Sequence, residues 1–235
     1  MRTQFAHADL KTARLAGLLY LIIIVCGIFS EVALRGPLVD FANAGSTATA
    51  IIGALDAYRL SIAADIVMAV ADAGLAILLF VLFRPVAPGL ALAAMIFRLI
   101  QSVMIGINLM NMQAALLLIA GGQDLSGLAV GAAEPLALFF LNMHAHGYDL
   151  GLIFFGINSL MTGVLIWRSG LVHKIIGLGV ALAGAVYLVG SSLRFFAPEL
   201  YDIFAAAYIV PVVTETSFCV ALLLVGLRSR RTLTA

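Results

Sequence analysis

Residues 144–149, with the sequence HAHGYD, place two histidines, a tyrosine and an aspartate where a long apolar run begins. Imidazole and carboxylate groups exchange protons and bind metal ions, so this combination of side chains is able to do chemistry. Further carboxylates lie within other apolar runs, among them Asp72 and Glu215. Charged groups are costly to bury without a partner. We therefore expect these side chains to mark either helix contacts or a site for an ion or a polar solute.

The composition indicates where such residues lie. Of the 235 residues, 63% are hydrophobic and 11% are charged, and the mean hydropathy is +1.14. Soluble domains average about 45–50% apolar and about 25% charged residues. The chain is therefore predicted to be a membrane protein whose main partner is the lipid bilayer. Its net charge of +1 gives no reason to expect a nucleic-acid partner.

Six segments are long and apolar enough to span a bilayer, which takes about 20 residues of helix. This predicts an all-α, polytopic six-helix bundle formed by a single domain over residues 1–235. The apolar piece 132–143 is too short to span and is predicted to be a short interfacial or re-entrant outer helix. The predicted spans are 14–34, 59–83, 89–120, 147–167, 171–196 and 203–227.

Basic residues in the connections predict the orientation, because cytoplasmic loops are rich in Lys and Arg. With the N-terminus inside, only three basic residues lie outside, namely Arg35, Arg59 and Arg194. The inside segments carry Arg2, Lys11, Arg14, Arg84, Arg168, Lys174, Arg228, Arg230 and Arg231. We therefore expect a multi-pass protein of the cell inner (plasma) membrane with both termini in the cytoplasm.

One group of polar residues falls near the middle of the spans. Counted at 1.5 Å per residue from the cytoplasmic ends, its members lie about 15–20 Å deep. This central polar layer comprises Asp72, Arg98, Gln101, Asn158 and Glu215. The turn between the second and third spans is short, which predicts direct contact between Asp72 and Arg98.

A second group lies higher, at about 26–30 Å, and is predicted to line an outward-facing pocket that binds a small molecule or an ion. The candidate pocket residues are Glu31, Asp65, Asn108, His144, His146 and Asp149. Arg98 is the one cation assigned to the membrane interior, against five carboxylates, so the sequence predicts a surplus of acid. No cofactor is predicted, but a divalent metal is possible, and its candidate ligands are His146, Asp149, Asp65 and Glu31.

Several strings resemble one bacterial membrane protein family. They are RLAGLLYLIIIVCGIFSE at 14–31, the R-x-x-x-x-x-D-I-V-M-x-V-x-D pattern around Arg59, Asp65 and Asp72, FRLIQ at 97–101, and HAHGYDLGLIFFG at 144–156. Together they resemble the family named domain of unknown function 4386 over nearly the whole chain. The resemblance implies an integral membrane protein of one domain and brings no reaction or substrate.

Three functions remain open at this stage. The acids inside the bundle favour binding or transport of a small solute, a proton or a cation. A membrane-embedded metal-dependent hydrolase is the first alternative, although H-A-H-G-Y-D has no established ligand spacing. A structural or sensory subunit without chemistry of its own is the second. Nothing in the sequence indicates an oligomeric state.

Overall fold

The computed structural model describes residues 7–121, 127, 129 and 131–231, with the side chains of residues 7–9 and 226–231 left aside. These parts of the chain are helical and contain no strand. The α-helices are α1 (His7–Ile28), α2 (Ala44–Gly53), α3 (Leu55–Phe83), α4 (Pro88–Ala120), α5 (Ala133–Ser169), α6 (Lys174–Phe196), α7 (Tyr201–Phe204) and α8 (Ile209–Arg231). A π-helix (Phe29–Arg35) extends α1, and short 3₁₀ turns lie at Gly36–Leu38, Pro198–Leu200 and Ala205–Tyr208.

Six of these segments are long and apolar enough to cross a membrane, which confirms the predicted six-helix bundle. They are Leu10–Leu38, Leu55–Phe83, Pro88–Ala120, Ala133–Ser169, Lys174–Phe196 and Pro198–Val225. Large apolar side chains are exposed on the outer faces of the spans, for example Val70, Ile107 and Ile203. Such faces suit contact with lipid, so the chain is a multi-pass membrane protein.

The six spans form a closed ring in which each helix packs against two neighbours. The order around the ring is α1, α3, α4, α5, α6 and α8, and α8 returns to α1. We call the end that holds the turns at 84–87 and 170–173 the terminal end, and the opposite end the distal end. Pro88 begins α4, where a missing N–H costs nothing, and Gly170 ends α5 with a φ of +66°.

The prediction of a separate short outer helix at 132–143 is wrong. Residues 133–143 are instead the first turns of α5, which continues unbroken for 37 residues, or about 55 Å. Pro135 lies in the first turn, where no backbone donor is needed, so it does not interrupt the helix. The separate short helix at the distal end is α2, which Asn43 caps by accepting a hydrogen bond from the backbone N–H of Ser46 at 3.0 Å.

The central helix α5 meets its two neighbours along seams that repeat every seven residues. On the α4 side, Asn158 lies against Ala94, Gly151 against Gln101, and His144 against Asn108. On the α6 side, Asp149 lies against Ser191, Gly156 against Gly184, and Gly163 against Gly177. A seven-residue repeat keeps two nearly antiparallel helices in register. One seam is therefore polar and the other consists mainly of glycine.

Candidate functional site

The ion pair predicted between Asp72 and Arg98 is present at the centre of the bundle. Arg98 Nε donates to Asp72 Oδ1 at 2.8 Å, and a second guanidinium nitrogen donates to the same oxygen. Both side chains are buried. The guanidinium lies over the rings of Tyr20 and Phe155, at 5.3 and 4.9 Å from their centroids. Aromatic faces stabilise a cation that is withdrawn from water, so this arginine is held on several sides.

Glu215 lies next to this pair but is held differently. It accepts a hydrogen bond from the Tyr187 hydroxyl at 2.6 Å, and the Tyr20 hydroxyl lies beside the same carboxylate. Among the described side chains, no Lys, Arg or His comes within 4 Å of it. Arg98 and Asp72 are close enough to interact with Glu215 electrostatically. Two carboxylates thus share the neighbourhood of one arginine.

The two amides of the central layer lie on the seam between α4 and α5. Asn158 Nδ2 donates to the backbone oxygen of Ala94 at 2.8 Å, and the Gln101 side chain packs against Gly151. Both side chains are buried, and Asn158 Oδ1 and Gln101 Oε1 have no hydrogen-bond partner among the described residues. Both amides therefore belong to the contact between α4 and α5.

The predicted surplus of acid at the distal end is wrong, because sequence analysis placed Arg35 in a connection. The π-helix carries Arg35 into the bundle, where Nη1 contacts Asp65 Oδ2 at 2.7 Å and Nε contacts Glu31 Oε2 at 3.0 Å. Arg35 and Asp65 are buried, whereas the Glu31 side chain is 62% exposed. The spacing of Glu31 and Arg35, four residues apart, was the local signal for this pair.

Asp149 also has an arginine partner that sequence analysis missed. The Arg194 guanidinium contacts the Asp149 carboxylate and lies 4.1 Å from the centroid of the Tyr201 ring. Ser191 also donates to Asp149 Oδ1, at 3.1 Å. No local sequence pattern predicts the pair of Asp149 and Arg194, since the two residues lie on different helices, α5 and α6. Three of the five carboxylates assigned to the spans, counting Asp72, therefore have a buried or half-buried arginine on another helix.

The two histidines contact the backbone. His144 Nδ1 lies 3.3 Å from the oxygen of Asn108, whose side chain donates to the His144 oxygen at 2.7 Å. His146 Nδ1 lies 2.9 Å from the oxygen of Asn142, and its ring packs against Phe195 at 5.9 Å. The His144 hydrogen bonds join the HAHGYD segment to α4, and the packing of His146 on Phe195 joins it to α6.

The six candidates for the distal pocket thus form three contact groups. Glu31 and Asp65 surround Arg35, Asn108 pairs with His144, and Asp149 lies with Arg194 beside His146. Over the ranges that the structure describes, there is no group of three or more His, Cys, Asp or Glu that could hold a metal ion. The arrangement gives no geometric support to a metal-dependent hydrolase.

A small cavity lies on the terminal side of Arg98, between α3, α4 and α5. Its volume is about 10 Å³. Arg98, Asn158 and Thr162 line it together with apolar residues that include Phe83 and Ala91 near the terminal end. This cavity therefore lies between Arg98 and the apolar side chains on its terminal side.

Comparison with known proteins gives a family and one distant relative. A protein of Archaeoglobus fulgidus, described as uncharacterized, is 24% identical over 135 residues, which cover 57% of this chain and 67% of the relative. No solved structure gives a significant match. The model of the family Domain of unknown function (DUF4386) matches residues 15–226. Because that match covers nearly all of the ring of spans, the chain belongs to the DUF4386 family.

Proposed function

We propose that the protein binds and releases protons at the centre of the membrane and couples them to the movement of a small solute or a cation. Glu215 is the proton-carrying group. The observation that carries the proposal is the environment of this carboxylate, which has a tyrosine donor at 2.6 Å and no described cation within 4 Å. In that respect it differs from Asp65, Asp72 and Asp149, each of which contacts an arginine.

The charge balance at the centre supports this assignment. Asp72 and Glu215 both interact with Arg98, and Arg98 donates two hydrogen bonds to Asp72 and none to Glu215 among the described contacts. With both acids ionised, the group carries one negative charge in excess. An uncompensated charge at hydrocarbon depth is costly. Binding one proton makes the group neutral, and Glu215 is the acid whose protonation breaks no ion pair.

Two tyrosines lie against Glu215, and a third is near both Glu215 and the distal ion pair. Tyr187 and Tyr20 lie against Glu215, and Tyr148 interacts electrostatically with both Glu215 and the Arg35–Asp65 pair. A hydroxyl group both donates and accepts hydrogen bonds, so it can pass a proton between neighbours. These side chains support a route for protons from the distal end to the centre.

Proton binding is tested first on purified protein in detergent. A small pH step in weakly buffered solution measures the number of protons taken up by the wild type, Glu215→Gln and Glu199→Gln. Glu199 is the matched control, because it is an exposed glutamate outside the site. We expect the wild type and Glu199→Gln to take up one proton more than Glu215→Gln. Equal uptake by all three proteins would exclude Glu215.

Transport is tested separately in liposomes that enclose a pH-sensitive dye. An imposed membrane potential should acidify the lumen when wild-type protein is present, since a charge moving across the membrane gains about 2.3 kcal/mol per 100 mV. Glu215→Gln should abolish the signal while Glu199→Gln retains it. Proton uptake without flux would mean that flux needs the coupled solute, and addition of candidate cations and small polar solutes identifies it.

The proposal includes an orientation, with both termini in the cytoplasm of a bacterial cell and the distal end outside. It is supported by the basic residues of the terminal end, among them Lys11, Arg84 and Lys174. Single cysteines at Ala42 and Arg84, in a variant that lacks the native cysteines, test it with an impermeant thiol reagent. We expect reaction of the first from outside and of the second only after the membrane is opened. The reverse pattern would invert the topology.

A further inference from the structure

The cavity beside Arg98 has the size and lining of a water site. A single water needs about 10–15 Å³ and two to four polar partners, and the cavity has a volume of about 10 Å³. Three polar side chains line it, namely Arg98, Asn158 and Thr162, and all three are at least nine-tenths buried. Dry cavities in proteins are lined by apolar groups alone, which is not the case here.

The Asn158 side chain has a buried oxygen that lacks a hydrogen-bond donor among the described residues. Asn158 donates through Nδ2 to Ala94, which fixes the orientation of its amide, and this leaves Oδ1 without a partner among the described residues. An unsatisfied buried acceptor costs about 1–3 kcal/mol. Water supplies the missing donor, whereas the apolar neighbours Phe83 and Ala91 cannot.

We propose that this cavity binds one ordered water molecule, which donates to Asn158 Oδ1 and accepts from the Arg98 guanidinium, with the Thr162 hydroxyl as a third partner. Arg98 has N–H groups for this purpose, since a guanidinium carries five donors and Asp72 Oδ1 takes two of them. The water lies on the terminal side of the ion pair, next to apolar side chains such as Phe83 and Ala91.

The site gives the central charge group a polar contact toward the terminal end. If the proposed function holds, this water extends the proton route from the central charge group toward the terminal end. The water site itself does not depend on proton transport, because it follows from the cavity and the amide alone.

Radiolytic footprinting tests the site in the intact protein, because hydroxyl radicals formed from a bound water label the side chains next to it. Met95 lines the cavity, and Met161, which is also partly buried, lies in the same core outside it. We expect Asn158→Leu to lower labelling of Met95 severalfold and to leave Met161 unchanged. Ala91→Val fills the cavity from α4 without touching a polar group and should have the same effect on Met95.

The second variant also covers the case in which Asn158→Leu fails to fold. Unchanged Met95 labelling in Ala91→Val, or a decrease in Asn158→Leu alone, would show that the cavity is dry. Glu215→Gln should leave the labelling of Met95 as in the wild type. If Glu215→Gln loses proton uptake but keeps the labelling of Met95, both proposals are supported. If the wild type shows Met95 labelling but no proton uptake that depends on Glu215, only the water site is supported.

Discussion

Asp72 and Glu215 are two carboxylates at similar depth in the same ring of helices, and they are held in opposite ways. Asp72 accepts two hydrogen bonds from Arg98 and is buried. Glu215 accepts from the neutral Tyr187 hydroxyl and is half-buried between α1, α6 and α8. A buried ion pair becomes strongly unfavourable when either partner is removed or neutralised. A carboxylate that is bound by hydroxyl groups tolerates both of its charge states.

The difference separates a structural group from an exchangeable one. The pair of Asp72 and Arg98 joins α3 to α4 and has little freedom to change its charge. Glu215 can gain or lose a proton without breaking a contact between oppositely charged groups. The distal carboxylates Asp65 and Asp149 resemble Asp72, since each contacts an arginine. Variants that affect the two classes differently can therefore test the distinction.

The largest effect is expected when Arg98 is replaced by leucine. This change leaves Asp72 buried without its partner and should lower the free energy of unfolding by about 3–5 kcal/mol. The double variant Arg98→Leu/Asp72→Leu should recover much of that loss, because it removes both charges. Unfolding in mixed micelles, followed by the fluorescence of Trp167, measures both values.

The control for this experiment is Arg59→Leu, which removes an exposed pair with Asp56 at 3.7 Å. Exposed ion pairs contribute about 0–1 kcal/mol, so the effect should be small. Glu215→Gln should also change stability far less than Arg98→Leu. If Glu215→Gln is as destabilising as Arg98→Leu, Glu215 is a structural group and the distinction from Asp72 is lost.

The next largest effect is expected at the glycine seam, which fixes α6 and hence Tyr187 relative to the rest of the ring. A Cβ atom at Gly163 would lie 2.5 Å from the backbone oxygen of Gly177. Gly163→Ala should therefore cost about 1–3 kcal/mol, as overpacking of a close contact does. Gly89→Ala is the control, because nothing lies within 4 Å of its added Cβ. Equal stability of the two variants would mean that α5 and α6 separate easily.

Much of the fold could be predicted from the sequence because hydropathy and helix length are local properties. Six spans follow from apolar runs of about 20 residues. The central layer follows from a constant rise per residue and a short turn, so Asp72 and Arg98 meet as expected. The break expected between residues 143 and 147 was wrong, because a proline in the first turn of α5 and the internal Gly147 leave the helix intact.

The distal contacts could not be predicted in the same way. Arg35 enters the bundle only because a π-helix replaces the end of α1, and hydropathy does not distinguish a π-helix from a loop. Arg194 reaches Asp149 across the α5–α6 seam, so the contact depends on the register of two helices. Sequence analysis counted both arginines among the outer basic residues and not in the membrane interior, and it therefore predicted free acids where the structure has ion pairs.

A smaller effect should connect Tyr187 with Glu215. The hydrogen bond at 2.6 Å predicts that Tyr187→Phe lowers stability by about 1 kcal/mol. In the Glu215→Gln background the same change should cost less, because the strength of the bond depends on the charge of its acceptor. A double-mutant cycle of the four proteins measures this coupling. Additive effects would show that the two side chains are adjacent without stabilising each other.

The smallest effect is expected when His146 is replaced. This variant distinguishes the distal metal site suggested by the sequence from the contacts found in the structure. Its ring bonds to the backbone oxygen of Asn142 and packs against Phe195. His146→Ala should therefore change stability by less than about 1 kcal/mol, as loss of one partly exposed hydrogen bond does. The double variant Asp65→Asn/His146→Ala separates this contact from a ligand role, because it removes two of the four proposed metal ligands. Elemental analysis after purification without chelators should give the same zinc and manganese content for the wild type and the double variant. A stoichiometric metal that disappears in the double variant would restore the hydrolase alternative and would require the Arg35 and Arg194 ion pairs to open.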